Sequence, residues 1–156
     1  MEWKANAPDT WTMKPAILAI ALLLASVCRA ETATVARIVD GDTLRAVVDG
    51  QELRVRLWGI DAPERGREGA SDATEALARL APVGSSVQLE RVDVDRYGRT
   101  VARVIVNGED VGERLVCAGY ARWYRRYARG AANLAACEAT ARADARGVWS
   151  ETAARP

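Results

Sequence analysis

The 156-residue sequence contains no histidine, and residues 31–156 contain no lysine. Without histidine, the chain cannot form zinc sites with histidine ligands, Ser–His catalytic triads or histidine general bases. Carboxylates, tyrosines, cysteines, lysines or bound water must therefore carry any acid–base chemistry. The sequence also lacks repeats, linkers and low-complexity tracts. Its length and its 49% of hydrophobic residues predict one domain with one core and exclude a disordered or collagen-like chain.

Beyond the N-terminal segment, the chain has no excess of charge of either sign. The whole sequence has 22 basic and 21 acidic residues. Residues 1–30 contain three of the basic and two of the acidic residues. The remaining 19 basic residues, all arginine, are balanced by 19 acidic residues. A neutral chain does not bind nucleic acid by bulk electrostatics, so any phosphate site must be local. Arginine suits such a site because its planar guanidinium contacts two phosphate oxygens at once.

The apolar run near the N-terminus is too short to span a bilayer comfortably. Ala16–Val27 has 12 residues, whereas a transmembrane helix needs about 20. Lys14 precedes this run, and the small residues Cys28 and Ala30 fit cleavage after Ala30. These features predict a secretory signal peptide over residues 1–30. A buried core helix or an uncleaved anchor is the alternative.

The segment before Met13 is poor in the positive charge with which a signal peptide begins, because it contains two acidic residues and one lysine. We therefore expect translation to start at Met13. Removal of the signal would leave residues 31–156 as a single exported domain, periplasmic or secreted, with no membrane attachment.

Two cysteines remain after signal removal, Cys117 and Cys137. An even number of cysteines in an exported chain indicates a disulfide. The alternative is that both are small buried residues on helices.

Five short segments rich in β-branched or alternating apolar residues predict strands. They are Thr34–Val39, Thr43–Val48, Leu53–Leu57, Val87–Val92 and Arg99–Val106. Asp49-Gly50 predicts a two-residue hairpin turn between the second and third strands. The alternation in the third strand places Arg54 and Arg56 on the face opposite its apolar residues.

Three segments have the 3.6-residue period of helices. They are Asp72–Leu80, Val111–Ala118 and Ala131–Arg146. Asp72 with Glu75, and Asp110 with Glu113, have the spacing of capping boxes, and a glycine follows each of the last two segments. The predicted fold is therefore α+β. A small barrel is expected, since five strands with short connections would otherwise leave exposed edges.

Four acidic residues lie at strand junctions or in loops: Asp40, Asp42, Asp61 and Glu64. Taken singly, each is best explained as a turn residue or a solvated loop acid. Their combination with Arg56 and Arg99 changes this interpretation. Carboxylate oxygens suit a hard cation such as calcium or magnesium, and two arginines suit the oxygens of a phosphodiester. The set indicates metal-assisted phosphoryl chemistry.

Three blocks of this sequence resemble the staphylococcal nuclease family in order, spacing and residue type. They are Asp40-Gly41-Asp42-Thr43, Arg56-Leu57-Trp58-Gly59-Ile60-Asp61-Ala62-Pro63-Glu64 and Asp95-Arg96-Tyr97-Gly98-Arg99. The ending Gly147–Glu151 is similar as well, so the likeness covers about Thr34–Glu151. The resemblance implies a five-stranded OB-fold barrel with three helices. It also implies a calcium-dependent nuclease that cuts single- and double-stranded DNA and RNA, leaving 3′-phosphate and 5′-hydroxyl ends.

The resemblance also implies roles for individual residues. Asp42 and Asp61 would supply carboxylate ligands to one calcium ion, and the backbone carbonyl of Ala62 would add a third protein ligand. Asp40 would lie next to these ligands without contacting the ion. The family often has threonine where this chain has Ala62, and the alanine keeps the backbone carbonyl ligand but loses a side-chain hydrogen bond.

On the substrate side, the resemblance implies that Glu64 acts as the general base or orients the attacking water. Arg56 and Arg99 would hold the phosphate oxygens, and Tyr97 would help bind the nucleotide. The loop Arg65–Gly69, which follows Glu64, is shorter than in the best-known member of the family.

Arg122–Arg129 reads Arg-Trp-Tyr-Arg-Arg-Tyr-Ala-Arg and has two interpretations. One is a nucleic-acid contact surface in which Tyr124 or Tyr127 stacks on a base. The other is a solvated arginine face whose aromatic residues fill the core. Trp58 and Trp149 are expected to be packing residues.

Two other functions compete with a monomeric nuclease that acts on DNA and RNA without a stable protein partner. One is a non-catalytic nucleic-acid-binding module of OB type, and the other is a small structural domain. The complete set of acids and arginines favours the enzyme.

Overall fold

The computed structural model describes residues 30–150. The predicted signal peptide and the start at Met13 lie outside this range, so both stay predictions. Among the described residues, no helix is long and apolar enough to cross a membrane.

The described chain forms a closed β-barrel flanked by helices. Its strands are β1 (Glu31–Asp40), β2 (Thr43–Val48), β3 (Gln51–Leu57), β4 (Ile60–Asp61), β5 (Ser86–Val94), β6 (Thr100–Val106), β7 (Glu109–Asp110) and β8 (Arg122–Trp123). The main sheet has the order β3-β2-β1-β5-β6-β7, and parallel pairing of β3 with β6 closes its first five strands into a barrel. Closure removes the exposed edges of an open five-stranded sheet. The predicted α+β class and five-stranded OB-type barrel are confirmed.

Three helices and one short 3₁₀ turn accompany the barrel. They are α1 (Ala70–Leu80), α2 (Val111–Cys117), α3 (Ala132–Ala143) and the 3₁₀ turn Gly147–Trp149. Helix α1 packs on β1, and α2 packs against α3. The largest side chains buried between these layers are aliphatic: Leu44, Leu57, Ile60, Leu77, Leu89, Leu115 and Leu134. Each stabilises the fold by about 1.5–3 kcal/mol through burial.

The predicted helix starts have different outcomes. Asp110 caps α2, because its side chain accepts hydrogen bonds from the backbone N–H groups of Gly112 and Glu113. The capping box predicted at Asp72 is wrong, since α1 begins two residues earlier, at Ala70. Gly69 precedes it in the left-handed conformation and makes no side-chain cap bond. The glycine turn starts the helix, and Asp72 contributes a favourable negative charge in the first turn.

Helix α3 is shorter than predicted, ending at Ala143 rather than Arg146. The chain then turns so that Val148 donates a backbone hydrogen bond to the Gly119 carbonyl over 2.9 Å. A Cβ atom on Gly119 would lie 2.5 Å from the carbonyl oxygen of Arg146. Glycine at position 119 is therefore required for the C-terminal segment to dock against the end of α2.

A disulfide joins Cys117, the last residue of α2, to Cys137 in α3. The two cysteines are 20 residues apart in sequence, so the bond restricts the unfolded chain and stabilises the protein by about 3 kcal/mol. It fastens α2, which contacts β4, to α3, which contacts β8.

Candidate active site

One cavity of about 250 Å³ collects the acids and arginines predicted from the sequence. Its lining residues come from the end of β1 and the turn after it, the end of β3, β4 with the loop after it, and the residue before β6. They are Asp40, Asp42, Arg56, Asp61, Ala62, Pro63, Glu64, Arg65 and Arg99. The loops of an OB barrel at this end are the usual ligand-binding loops of the fold.

Asp42 is the most constrained acid of this cavity. Its Oδ2 atom accepts a hydrogen bond from the backbone N–H of Ala62 over 2.9 Å, and its Oδ1 atom accepts one from the Thr43 hydroxyl over 3.0 Å. The turn that carries it packs closely on α1. A Cβ atom on Gly41 would lie 2.6 Å from the Cβ of Ala73, so only glycine fits there.

Arg56 lies between the carboxylates of two predicted metal ligands. Its guanidinium forms an ion pair with Asp42 Oδ1 and donates to Asp61 Oδ1 over 3.0 Å and to the Ile60 carbonyl over 3.2 Å. Burial alone would lower the pKa of Arg56, but the negative charges of Asp42 and Asp61 outweigh it and raise the pKa. Arg56 is therefore a fixed positive charge whose orientation is set before any substrate arrives.

Asp40 lies beside the ion pair of Arg56 and Asp42 and accepts a hydrogen bond from the backbone N–H of Asp42 over 3.2 Å. Burial, together with the charge of Asp42, raises the pKa of Asp40. Burial is the larger cause of the raised pKa, and the neighbouring charge of Asp42 is the second. A cation bound nearby would favour the charged form of both carboxylates.

The donor set fits a hard cation by its chemistry. Every side-chain oxygen atom that lines the cavity belongs to a carboxylate, which is the ligand type that calcium prefers. Within residues 30–150, no three acidic or cysteine side chains are grouped closely enough to form a ready-made metal cage. Asp42 and Asp61 instead both form ion pairs with Arg56. These two carboxylates could bind an ion whose other ligands come from the backbone and from water.

Arg99 is held by Asp95, a residue to which the sequence analysis assigned no role. The Arg99 Nε atom lies 2.6 Å from Asp95 Oδ2, while Asp95 Oδ1 accepts the backbone N–H groups of Tyr97 and Arg99. Burial would raise the pKa of Asp95, but the hydrogen bonds from Arg99 and Tyr97 outweigh it and lower the pKa. The signal was present in the sequence, since an aspartate before a glycine turn commonly caps the backbone two residues on.

A cleft of about 510 Å³ adjoins the cavity and shares Arg56, Asp61 and Arg99 with it. Three tyrosines with substantial exposure line this cleft: Tyr97 at 66%, Tyr124 at 37% and Tyr127 at 65%. The rings of Tyr124 and Tyr127 meet edge to face, with centroids 5.0 Å apart. Tyr124 and Tyr127 therefore line the cleft and do not fill the core, as the interpretation of Arg122–Arg129 as a nucleic-acid contact surface requires.

The tryptophans have less exposed positions. Trp58 packs against the core, with the Arg103 guanidinium 5.9 Å from its ring centroid. Trp149 is covered by Arg122 and Arg142, whose guanidinium carbons lie 4.6 and 3.9 Å from its ring centroid.

Glu138 of α3 is a buried acid that sequence reasoning missed. Its Oε1 atom accepts the backbone N–H of Trp123 over 3.2 Å, and its Oε2 atom lies 3.5 Å from both Arg125 and Arg142. Through Trp123 it supports β8, which pairs with β4 so that Arg122 lies opposite Asp61. The contact joins residues 15 apart, so no local pattern reveals it.

The fold and the site define a small α+β barrel protein of OB type that carries an acid–arginine site on its loops. The family model for staphylococcal nuclease homologues matches residues 54–151. The protein ParB of Escherichia coli is 38% identical over 154 residues, covering 91% of this chain and 86% of that protein.

Two further relatives carry nuclease names. The micrococcal nuclease of Shigella flexneri is 38% identical over 127 residues, covering 75% of this chain and 72% of its own length. The thermonuclease of Staphylococcus intermedius is 36% identical over 101 residues, covering 60% of each chain. The chain therefore belongs to the staphylococcal nuclease family, as the three sequence blocks predict.

Proposed function

We propose that this protein is a calcium-dependent nuclease that hydrolyses DNA and RNA to 3′-phosphate and 5′-hydroxyl products. The observation that carries the proposal is the cavity in which four carboxylates face Arg56 and Arg99. The relatives named micrococcal nuclease and thermonuclease, and the matching family model, support the same activity.

In this proposal, Arg56 and Arg99 bind the non-bridging phosphate oxygens. Attack on a phosphodiester builds negative charge on these oxygens, and two positive side chains oppose that charge. Both arginines are oriented in advance, Arg56 by Asp42 and Arg99 by Asp95. Loss of one such preorganised donor typically costs about 10²–10³ in rate.

Glu64 positions the attacking water and accepts its proton. The chain has no histidine, and Glu64 is an exposed carboxylate on the rim of the same cavity. The bond that forms joins the water oxygen to phosphorus, and the bond that breaks joins phosphorus to the 5′-oxygen. Arg99 stabilises the leaving 5′-oxygen by charge, because a guanidinium holds its proton too tightly to be a good acid. The leaving oxygen takes its proton from solvent water and becomes the 5′-hydroxyl.

Asp42 and Asp61, with the backbone carbonyl of Ala62, would hold the calcium ion, and Asp40 would lie beside them. When bound, calcium adds positive charge next to the reacting phosphate. The same two carboxylates that would hold the ion also contact Arg56, so one set of residues positions both positive groups.

Substrate binding in this proposal extends into the tyrosine cleft. Tyr97, Tyr124 and Tyr127 offer exposed ring faces on which bases can stack. The protein acts as a monomer after export to the periplasm or the medium. The disulfide between Cys117 and Cys137 supports export, since such bonds persist in oxidising compartments.

The test is cleavage of denatured DNA, duplex DNA and RNA by the purified protein, with calcium and with a calcium chelator. Glu64→Gln from the same purification excludes a contaminating nuclease. Glu68→Gln is the matched control, because Glu68 is an exposed glutamate on the same loop but outside the cavity. Calcium-dependent cleavage by wild type and Glu68→Gln, but not by Glu64→Gln, supports the proposal. Binding of nucleic acid without cleavage would instead make this protein a binding module.

A further inference from the structure

A third depression adjoins the tyrosine cleft and shares no lining residue with the cavity that holds the four acids. It has a volume of about 330 Å³ and shares Trp58 and Tyr127 with the cleft. The cavity, the cleft and this depression therefore form one path, in which neighbouring members share lining residues. The proposed reaction uses the first and the second of these spaces but leaves the third without a role.

The balance of charge changes along this path. The cavity is lined by four acids and three arginines, and the cleft by three acids and four arginines. The third depression is lined by two arginines and by no acid among the described residues. Arg103 is paired with Glu90 and Asp110, so Arg129 supplies the positive charge that this depression can offer to a phosphate. A calcium ion bound in the cavity would offset the negative charge of the cavity only.

Three side chains of the third depression, those of Tyr127, Arg129 and Asn133, are available to a ligand. Within residues 30–150, the exposed guanidinium of Arg129 forms no hydrogen bond or ion pair. Asn133 donates its Nδ2–H to Glu113 over 2.6 Å, and this bond directs the amide without using its carbonyl oxygen as an acceptor. Tyr127 presents an exposed ring at the border with the cleft.

We propose that this depression is a remote nucleotide subsite that binds a single strand running from the cavity past the tyrosines. This inference rests on the proposed nuclease function and deepens it. Arg129 contacts a backbone phosphate, Asn133 contacts a base edge, and Tyr127 stacks on the base between the cleft and the subsite. The substrate is unpaired at this point, because a base in a duplex is already stacked on its neighbours and cannot use a tyrosine platform.

The subsite is tested first by the dependence of kinetics on substrate length. An OB fold typically covers about 4–16 nucleotides, so the full-length protein is assayed with a dinucleotide and with an eight-nucleotide single strand. We expect Arg129→Ala to raise KM for the longer substrate about threefold to tenfold while kcat stays unchanged. Kinetics on the dinucleotide should not change, because it ends before the depression. Arg37→Ala is the matched control, since it removes one exposed arginine that lines none of the three spaces.

A binding measurement separates failure of the subsite from failure of the nuclease. Fluorescence anisotropy of an eight-nucleotide single strand in calcium chelator reports the subsite even when nothing is cleaved. We expect Arg129→Ala to weaken single-strand binding about threefold to tenfold, with little effect on a duplex of the same length. An equal effect of Arg129→Ala and Arg37→Ala, or an equal loss for single strand and duplex, would overturn the subsite. Absence of cleavage by wild type with normal single-strand binding would overturn the nuclease alone.

Discussion

Arg56 and Asp42 form an ion pair at the centre of the cavity, with 14% and 9% of their side chains exposed. A pair this well buried differs from the exposed ion pairs elsewhere on the barrel. The charges of Asp42 and Asp61 together outweigh the effect of burial and raise the pKa of Arg56, and both members of the pair belong to the proposed catalytic machinery. Arg56 therefore stabilises the fold as well as serving the proposed reaction.

We expect Arg56→Ala to lower the free energy of unfolding by about 3 kcal/mol, because it leaves the buried Asp42 carboxylate without a positive partner. Urea unfolding measures the change. Arg45→Ala is the control, since Arg45 and Glu52 form an ion pair in which both side chains are 46% exposed. Exposed pairs contribute about 0–1 kcal/mol, so a loss as large for Arg45→Ala as for Arg56→Ala would contradict this account.

Asp95 leads to a prediction about acid stability. Because its pKa is lowered in the folded protein, Asp95 stabilises the fold above its unfolded pKa of about 3.9. That stabilisation is lost as the pH falls through the lower folded value. Asp95→Asn should therefore be less stable than wild type at pH 7, and the difference should shrink below about pH 4. Urea unfolding of both proteins from pH 7 to pH 2.5 measures it, and a difference that grows on acidification would contradict the prediction.

The same variant also tests how Arg99 is positioned. Asp95→Asn keeps an acceptor oxygen for the backbone N–H groups of the turn but removes the charge that faces the Arg99 side chain. We expect kcat to fall about tenfold or more while the turn remains folded, since Arg99 loses its fixed orientation. Unchanged kcat with wild-type stability at pH 7 would show that Arg99 does not need Asp95.

Local sequence patterns predicted much of this fold because strands and turns depend on neighbours in sequence. The hairpin at Asp49-Gly50 and the helix start at Asp110 follow from such patterns, and the acid–arginine cavity follows from blocks at strand ends. The pairing of β4 with β8 could not be predicted, because each strand has two residues and depends on tertiary support. The start of α1 was misplaced because the glycine turn at Gly69 replaced the expected side-chain cap.

The disulfide predicts a redox dependence of stability. Reduction of Cys117–Cys137 releases a loop of about 20 residues and should lower the free energy of unfolding by about 3 kcal/mol. The double variant Cys117→Ser/Cys137→Ser should match the reduced wild type and should not respond to dithiothreitol. Urea midpoints with and without the reductant measure both effects. A wild-type midpoint that does not move on complete reduction would contradict the prediction.

Glu138 connects the helix that carries Cys137 with the strand opposite Asp61. Glu138 is 4% exposed, and its carboxylate accepts the Trp123 N–H and faces two arginines, so its removal leaves a half-buried backbone donor without this partner. Glu138→Ala should therefore destabilise the protein by about 2–3 kcal/mol. Glu138→Gln keeps the acceptor for Trp123 and should recover much of that loss.

These two variants also distinguish positioning from bulk stability. If Glu138 places β8, and β8 places β4, then Glu138→Ala should raise the calcium concentration needed for half-maximal cleavage about threefold or more. The shift should persist at temperatures where the variant is fully folded, because it arises from displacement of Asp61 rather than from unfolding. Glu138→Gln should show a smaller shift, since β8 keeps its backbone hydrogen bond. A normal calcium response in folded Glu138→Ala would show that β4 holds Asp61 without help from α3.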